Sequence, residues 1–140
     1  MAVVTKHIEF STRGNAEILD ITTELSKALA ASGLADGVLT VFVPGATGGL
    51  TTVEYEPGLV QDLNELWERI IPSNKTYHHD RAWGDGNGHS HVRASLLGPS
   101  LSIPFCDGRF TLGTWQQAIF VDFDVRSRSR QLVLQFVGEE

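Results

Sequence analysis

Four segments near the C-terminal end decide the fold class: Ser100-Leu101-Ser102-Ile103-Pro104-Phe105, Arg109-Phe110-Thr111-Leu112, Gln116 to Asp124, and Gln131 to Val137. Each is short and rich in β-branched or aromatic residues, and turn residues separate them, as in successive strands. Asp107-Gly108 between the first two favours positive φ at both positions and predicts a tight hairpin. Upstream, Val3 to Ser11 alternates apolar and polar as a half-buried strand does. Arg13-Gly14-Asn15 predicts a turn and Ala16 to Ile21 a second strand, read as hairpin partner of the first. Thr22 or Thr23 can cap a helix running to about Ser32, with Gly33 as its left-handed terminator. Val38 to Val43 suits a central strand, Pro44 to Gly49 breaks it, and Thr51 to Tyr55 resumes an extended pattern.

Pro57-Gly58 opens a second helix with Leu59, Leu63, Leu66, Trp67 and Ile70 on one stripe, and Pro72 ends it. Residues 73–90 are polar, Gly-rich and His-rich and read as a long loop. Strands mixed with two main helices, followed by a run of strands, predict an α+β fold with a mixed, mainly antiparallel sheet. The 140 residues suffice for a single domain, 1–140, that folds without a disulfide or metal. One cysteine, Cys106, excludes an internal disulfide framework, and it reads as a small core residue beside a turn. No apolar run nears the ~20 residues of a membrane helix, and the N-terminus lacks a signal-peptide core, so a cytoplasmic protein is expected. The formal charge is −6. Residues 1–72 hold four Lys/Arg against ten Asp/Glu, and residues 73–140 hold seven of each. Without a basic surplus, no nucleic-acid partner is expected. Arg126, Arg128 and Arg130, just after Asp122 and Asp124, read as a solvated hairpin turn.

The chemistry concentrates in four histidines, His78, His79, His89 and His91. On an extended segment His89 and His91 would share one face. With His79 alongside, three imidazoles could hold a divalent metal such as zinc and leave a position open. Glu54, Asp80 and Asp85 are available as a further ligand or a general base. The plainer reading is a polar surface loop in which histidines replace other polar residues. Pro44 to Gly49 could hold a phosphate through backbone amides and the Thr47 hydroxyl, or be a tight turn; it lacks a P-loop lysine. Trp83 to Gly88, which includes Asn87, could turn its amides toward an anion. Trp83 itself reads as an anchor on the core, with a lid as the alternative. Thr114, Trp115 and Gln116 form either a pocket wall or a bulge.

Together these motifs resemble the YjbQ-like family. The resemblance is carried by Tyr77-His78-His79, by Asn87 to Gly98, by Leu112 to Gln116 and by Thr51 to Gly58, and it spans nearly the whole chain. It implies an α+β fold and a compact homotrimer with sites near subunit boundaries. It further implies Glu54, His79 and His91 as site residues, with His89 belonging to part of the family. Many members have a histidine where Gly45 stands here. The family's implied activity is secondary thiamine-phosphate synthesis, joining a pyrimidine diphosphate to a thiazole phosphate with release of pyrophosphate. A diphosphate leaving group calls for magnesium on carboxylates, here Asp80, Asp85 and Glu54, and for cationic side chains such as Arg81 or Arg93. The expected ligand is a small phosphorylated metabolite contacting Thr47, Asn87, Gly88, Thr114, Trp115 and Gln116. The alternatives are a metal-dependent hydrolase and a non-catalytic phosphate- or metal-binding trimer.

Overall fold

A computed structural model describes residues 1–140. The strands are β1 (Ala2–Thr12), β2 (Glu17–Asp20), β3 (Asp36–Phe42), β4 (Gly48–Val53), β5 (Ser100–Cys106), β6 (Arg109–Phe110), β7 (Gln117–Asp122) and β8 (Arg128–Glu139). The helices are α1 (Thr22–Ser32), α2 (Pro57–Ile70), α3 (His78–Trp83) and α4 (Gly88–Leu97). The chain is α+β, as its sequence pattern predicts. Instead of one mixed sheet there are two, with strand orders β1-β8-β3-β5-β6 and β2-β7-β4, and every pairing is antiparallel.

The β7 strand explains the layering. Ala118 and Phe120 face the large sheet, packing with Leu39, Val41, Phe105, Leu132, Leu134 and Phe136 and with Leu25 and Leu29 of α1. The alternate residues Ile119 and Val121, with Phe123 beyond the strand, pack against Trp67 of α2 and Ala94 of α4. The small sheet is thus apolar on both faces, with the large sheet and α1 on one side and α2 and α4 on the other.

Several elements differ from the sequence reading. The first two strands do not form a hairpin: β1 pairs with β8, and β2 pairs with β7. Gly14, Asn15 and Ala16 all have left-handed φ, which carries the chain from one sheet to the other. A Cβ on Gly14 would meet the Arg126 carbonyl oxygen at 2.5 Å, so the corner needs glycine. Residues 73–90 are not a loop throughout, because α3 and the start of α4 lie there. The buried face of α4 includes His89, Ser90 and Arg93, whose polarity hides the helical period. On α2, Trp67 is buried and Leu59, Leu63 and Leu66 are half-buried, but Ile70 is exposed and Ile71 takes its place inside. Asp107-Gly108 makes the expected turn, with φ of 51° and 72°. Cys106 is exposed, because Ile103 and Phe105 take the inward parity of β5. Trp83 is 76 % exposed and does not anchor on the core. No helix is long and apolar enough to cross a membrane.

Candidate functional site

The inward parity of β8 that buries Leu132, Leu134 and Phe136 also turns Arg130 inward. The parity of β7 that buries Ala118 and Phe120 does the same for Asp122. The two meet at one end of the space between the sheets. Arg130 Nε and Nη2 donate to Asp122 at 2.8 and 2.9 Å, and Nη2 also donates to Thr47 Oγ1 at 2.8 Å. Thr12 Oγ1 donates to Asp122 at 2.6 Å. Beside this pair, Arg128 Nε and Nη2 donate to Asp124 at 2.8 and 2.6 Å. Thr47 Oγ1 donates to Asp124 at 3.3 Å and so links the two ion pairs, while Asn87 Nδ2 donates to its other oxygen. Burial alone would raise the Asp124 carboxyl, but bonds from Arg128, the Val125 N–H and Asn87 hold it down to about 2. The three arginines are therefore not a solvated turn. Arg126 is exposed, Arg128 keeps 37 % of its side chain in solvent while binding the buried Asp124, and Arg130 is buried; their alternation with serine into a strand is the signal that could have revealed it.

Over this network opens a polar cleft of about 490 Å³ lined by Gly45, Ala46, Thr47, Asn87, His91 and Arg130, among others. Arg130 is only 8 % exposed. Its Nη1 has no protein partner and keeps some access to solvent. The same nitrogen lies against Gly45, where an added Cβ would sit 3.3 Å away. On the cleft wall His91 of α4 stacks on His79 of α3, with ring centroids 4.2 Å apart. Burial lowers the His91 pKa, and repulsion from His79 lowers it further. His79 Nδ1 is buried without a hydrogen-bond partner, 4.0 Å from Asp85 Oδ1.

A model of the UPF0047 protein YjbQ-like family matches residues 6–139. The chain belongs to the YjbQ-like family. A UPF0047 protein of Archaeoglobus fulgidus is 35% identical over 128 residues, covering 91% of this chain and 97% of that one. The UPF0047 protein YugU of Bacillus subtilis is 29% identical over 95% of this chain and 98% of its own. Among solved structures, hypothetical protein APE1520 from Aeropyrum pernix K1 superposes with TM-score 0.86 at 31% identity, covering 96% of this chain and 99% of that chain. A YbjQ-like protein of unknown function from Sulfolobus solfataricus P2 gives TM-score 0.89 at 24% identity, covering 99% and 100%, and shows the shared fold.

In this YjbQ-like chain the site residues named from sequence fall into two groups. Thr47, Asn87 and His91 line the cleft, and His79 lies behind His91. Gly88 is buried at the start of α4 with its N–H taken by Asp80, so it does not offer an amide to a ligand. Glu54, Thr114, Trp115 and Gln116 lie past the opposite end of β4, about 20 Å of strand from Thr47, and all four are exposed. Gln116 Nε2 donates to Thr52 Oγ1 and Gln117 accepts from the Tyr55 N–H, which keeps this second group together.

His89 joins neither group. It lies on a helix, where a two-residue spacing rotates side chains about 200° apart, rather than on the expected strand. Its ring is buried beside Tyr77 and Arg93, and burial foremost, then Arg93, lowers its pKa. The expected triad of His79, His89 and His91 does not converge, and no three His, Cys, Asp or Glu side chains of one chain are placed to hold a metal. A zinc or magnesium ligand set is not assembled by one chain. Arg93 is also committed elsewhere: Nε and Nη2 both donate to the Ile71 carbonyl, and Nη2 lies 3.2 Å from Glu68. It caps the end of α2 and is not free for a diphosphate. Arg81 is exposed on α3.

Proposed function

We propose that the cleft binds the phosphate or diphosphate group of a small phosphorylated molecule, and that His91, backed by His79, exchanges a proton with it during group transfer. The observation that carries this is Arg130. A guanidinium buried in a fixed frame, with Nε and Nη2 satisfied by protein and Nη1 left over at a cleft, is a preorganised donor for an oxyanion. Asp122 and Asp124 behind Arg130 and Arg128 cancel their net charge, and Asp85 adds a carboxylate to the cleft wall, so an anion needs a further cation. His91 can supply it. Its lowered pKa leaves it neutral when the cleft is empty, and a bound anion raises that pKa and draws in a proton.

The reaction class this supports is displacement at a carbon carrying a phosphate or diphosphate ester. The carbon–oxygen bond breaks as the nucleophile's bond to that carbon forms. Arg130 holds the departing oxyanion, and His91 delivers its proton to it. Synthesis of thiamine phosphate from a pyrimidine diphosphate and a thiazole phosphate is one reaction of this class, and the family resemblance is what recommends it. The second group of residues, Glu54 and Thr114 to Gln116, would join such a site from a neighbouring copy. Two groups at opposite ends of one sheet meet when copies pack head to tail, and a closed ring of three is the arrangement we propose.

Titration calorimetry with inorganic phosphate and pyrophosphate tests the core of this reading. Because the bound-state pKa of His91 exceeds the free-state value, affinity is highest at low pH and declines as pH rises through the bound-state value. We expect tighter binding at pH 6 than at pH 8. His91→Ala removes the part of that pH dependence due to the imidazole, leaving the part due to the anion's own titration, and abolishes pyrophosphate release from the paired precursors. Absence of binding by either anion at pH 6 overturns the proposal.

A further inference from the structure

The histidine pair is built from two different helices, and a single carboxylate joins their first turns. Asp80 Oδ2 accepts from the Tyr77 N–H at 2.9 Å, which closes the start of α3. Its other oxygen, Oδ1, accepts from the Gly88 N–H at 2.8 Å, which is the first residue of α4. These N–H groups are among those a helix leaves unpaired at its start, so one side chain satisfies a donor on each helix. Both bonds lower the Asp80 pKa, the Tyr77 bond most, so the carboxylate stays charged and acceptor-only.

The backbone closes around this contact. A Cβ on Gly88 would sit 2.5 Å from Tyr77 Cβ and 3.0 Å from Asp80 Oδ1, so only glycine lets α4 press against the start of α3. Tyr77 is held from the other side, its hydroxyl donating to the Pro72 carbonyl at 2.7 Å just beyond α2. His79 directly precedes Asp80, and His91 lies three residues after Gly88, about one helical turn. The ring separation of 4.2 Å is therefore set by how the two first turns abut.

We infer that Asp80 is the positioning residue of the histidine pair: by clamping the first turns of α3 and α4 together it sets the His79–His91 stack on the cleft wall. Asp80 does not touch the cleft and takes no part in chemistry. Its importance for function rests on the reading of the cleft above, whereas the geometry can be tested without it. Replacing Asp80 by Asn breaks the clamp, because an amide has only one acceptor oxygen and turns its NH₂ toward the other N–H. Gly88→Ala attacks the same contact from the opposite side.

The experiment is NMR on the full chain well below its melting temperature, with inorganic phosphate as the probe. The wild type shows a ring-to-ring NOE between His79 and His91. In Asp80→Asn and in Gly88→Ala that NOE is lost, while the resonances of the two sheets stay in place and phosphate binds more weakly than to the wild type, through Arg130. Persistence of the NOE in folded Asp80→Asn overturns the inference, since a residue that only added stability would leave the stack intact in the folded molecule. Loss of the whole fold in Asp80→Asn also overturns it, because a clamp between two short helices leaves both cores in place. If phosphate binds neither the wild type nor the variants but the NOE is lost as described, the positioning role stands and the anion reading fails.

Discussion

Asp124 shows how far neighbouring groups can move one carboxyl. Burial opposes its charge, but Arg128, the Val125 N–H and Asn87 together outweigh burial and bring its pKa from 3.8 to about 2. A depressed folded-state pKa adds stability above the unfolded value, which is lost as pH falls through the folded value. Asp124 should therefore contribute about 2 kcal/mol near neutral pH. That contribution should fade between about pH 4 and pH 2. Urea unfolding at stepped pH measures this, and Asp124→Asn should lack that part of the acid sensitivity. Arg130 poses the harsher case. Truncating it to Met leaves Asp122 buried without its partner, which costs about 3–5 kcal/mol. Its two aspartates and two arginines were visible as a charged cluster in the sequence. Their burial was not, because spacing along a chain does not say which sheet faces which.

Helices and strands were legible in proportion to how much apolar periodicity they carry. The first helix, its Gly33 terminator and the later strands show the expected apolar or turn residues at the right spacing, and the structure contains them. The second helix begins where Pro57 predicts, and its cap is Glu56, whose carboxylate accepts from the Gly58 and Leu59 N–H groups at 2.7 and 2.8 Å. Glu56→Ala should cost about 1 kcal/mol. In a melting curve that is a fall of roughly 3 °C for a chain of this size. The helices α3 and α4 were hidden for a physical reason. Asp80 joins their starts and the buried face of α4 is mostly polar, with Ala94 the one apolar side chain fully inside, so no hydrophobic period betrays them. Reading that segment as extended put His89 and His91 on one face. The helix instead sends His89 toward Tyr77 and His91 toward His79.

The separation between the cleft and the Glu54–Gln116 group is a property of the whole molecule, since β4 spans the distance between them. Trp115, 73 % exposed beside this second group, is a large apolar surface for a single chain to leave in water. The head-to-tail ring proposed above would cover it. Native mass spectrometry should show three copies. Mixed and reassembled Glu54→Ala and His91→Ala chains should regain pyrophosphate release that neither variant has alone, because some boundaries then pair two intact halves. A monomer, or a mixture that stays inactive, would exclude a site shared between copies.

The amino-acid sequence by itself determined the α+β class, the hairpin at Asp107-Gly108, the start of α2 and the family. These depend on local φ preference, on short-range periodicity and on the residues themselves. Tertiary structure alone decided that β1 and β2 part company, that Arg130 lies inside, and that His79 pairs with His91 instead of joining a triad. Each of those outcomes is set by contacts between residues far apart in the chain: β1 with β8, Arg130 with Thr47, α3 with α4 through Asp80. A buried charge or a stacked ring is stable only when its partner arrives from elsewhere, and that arrival is what folding supplies.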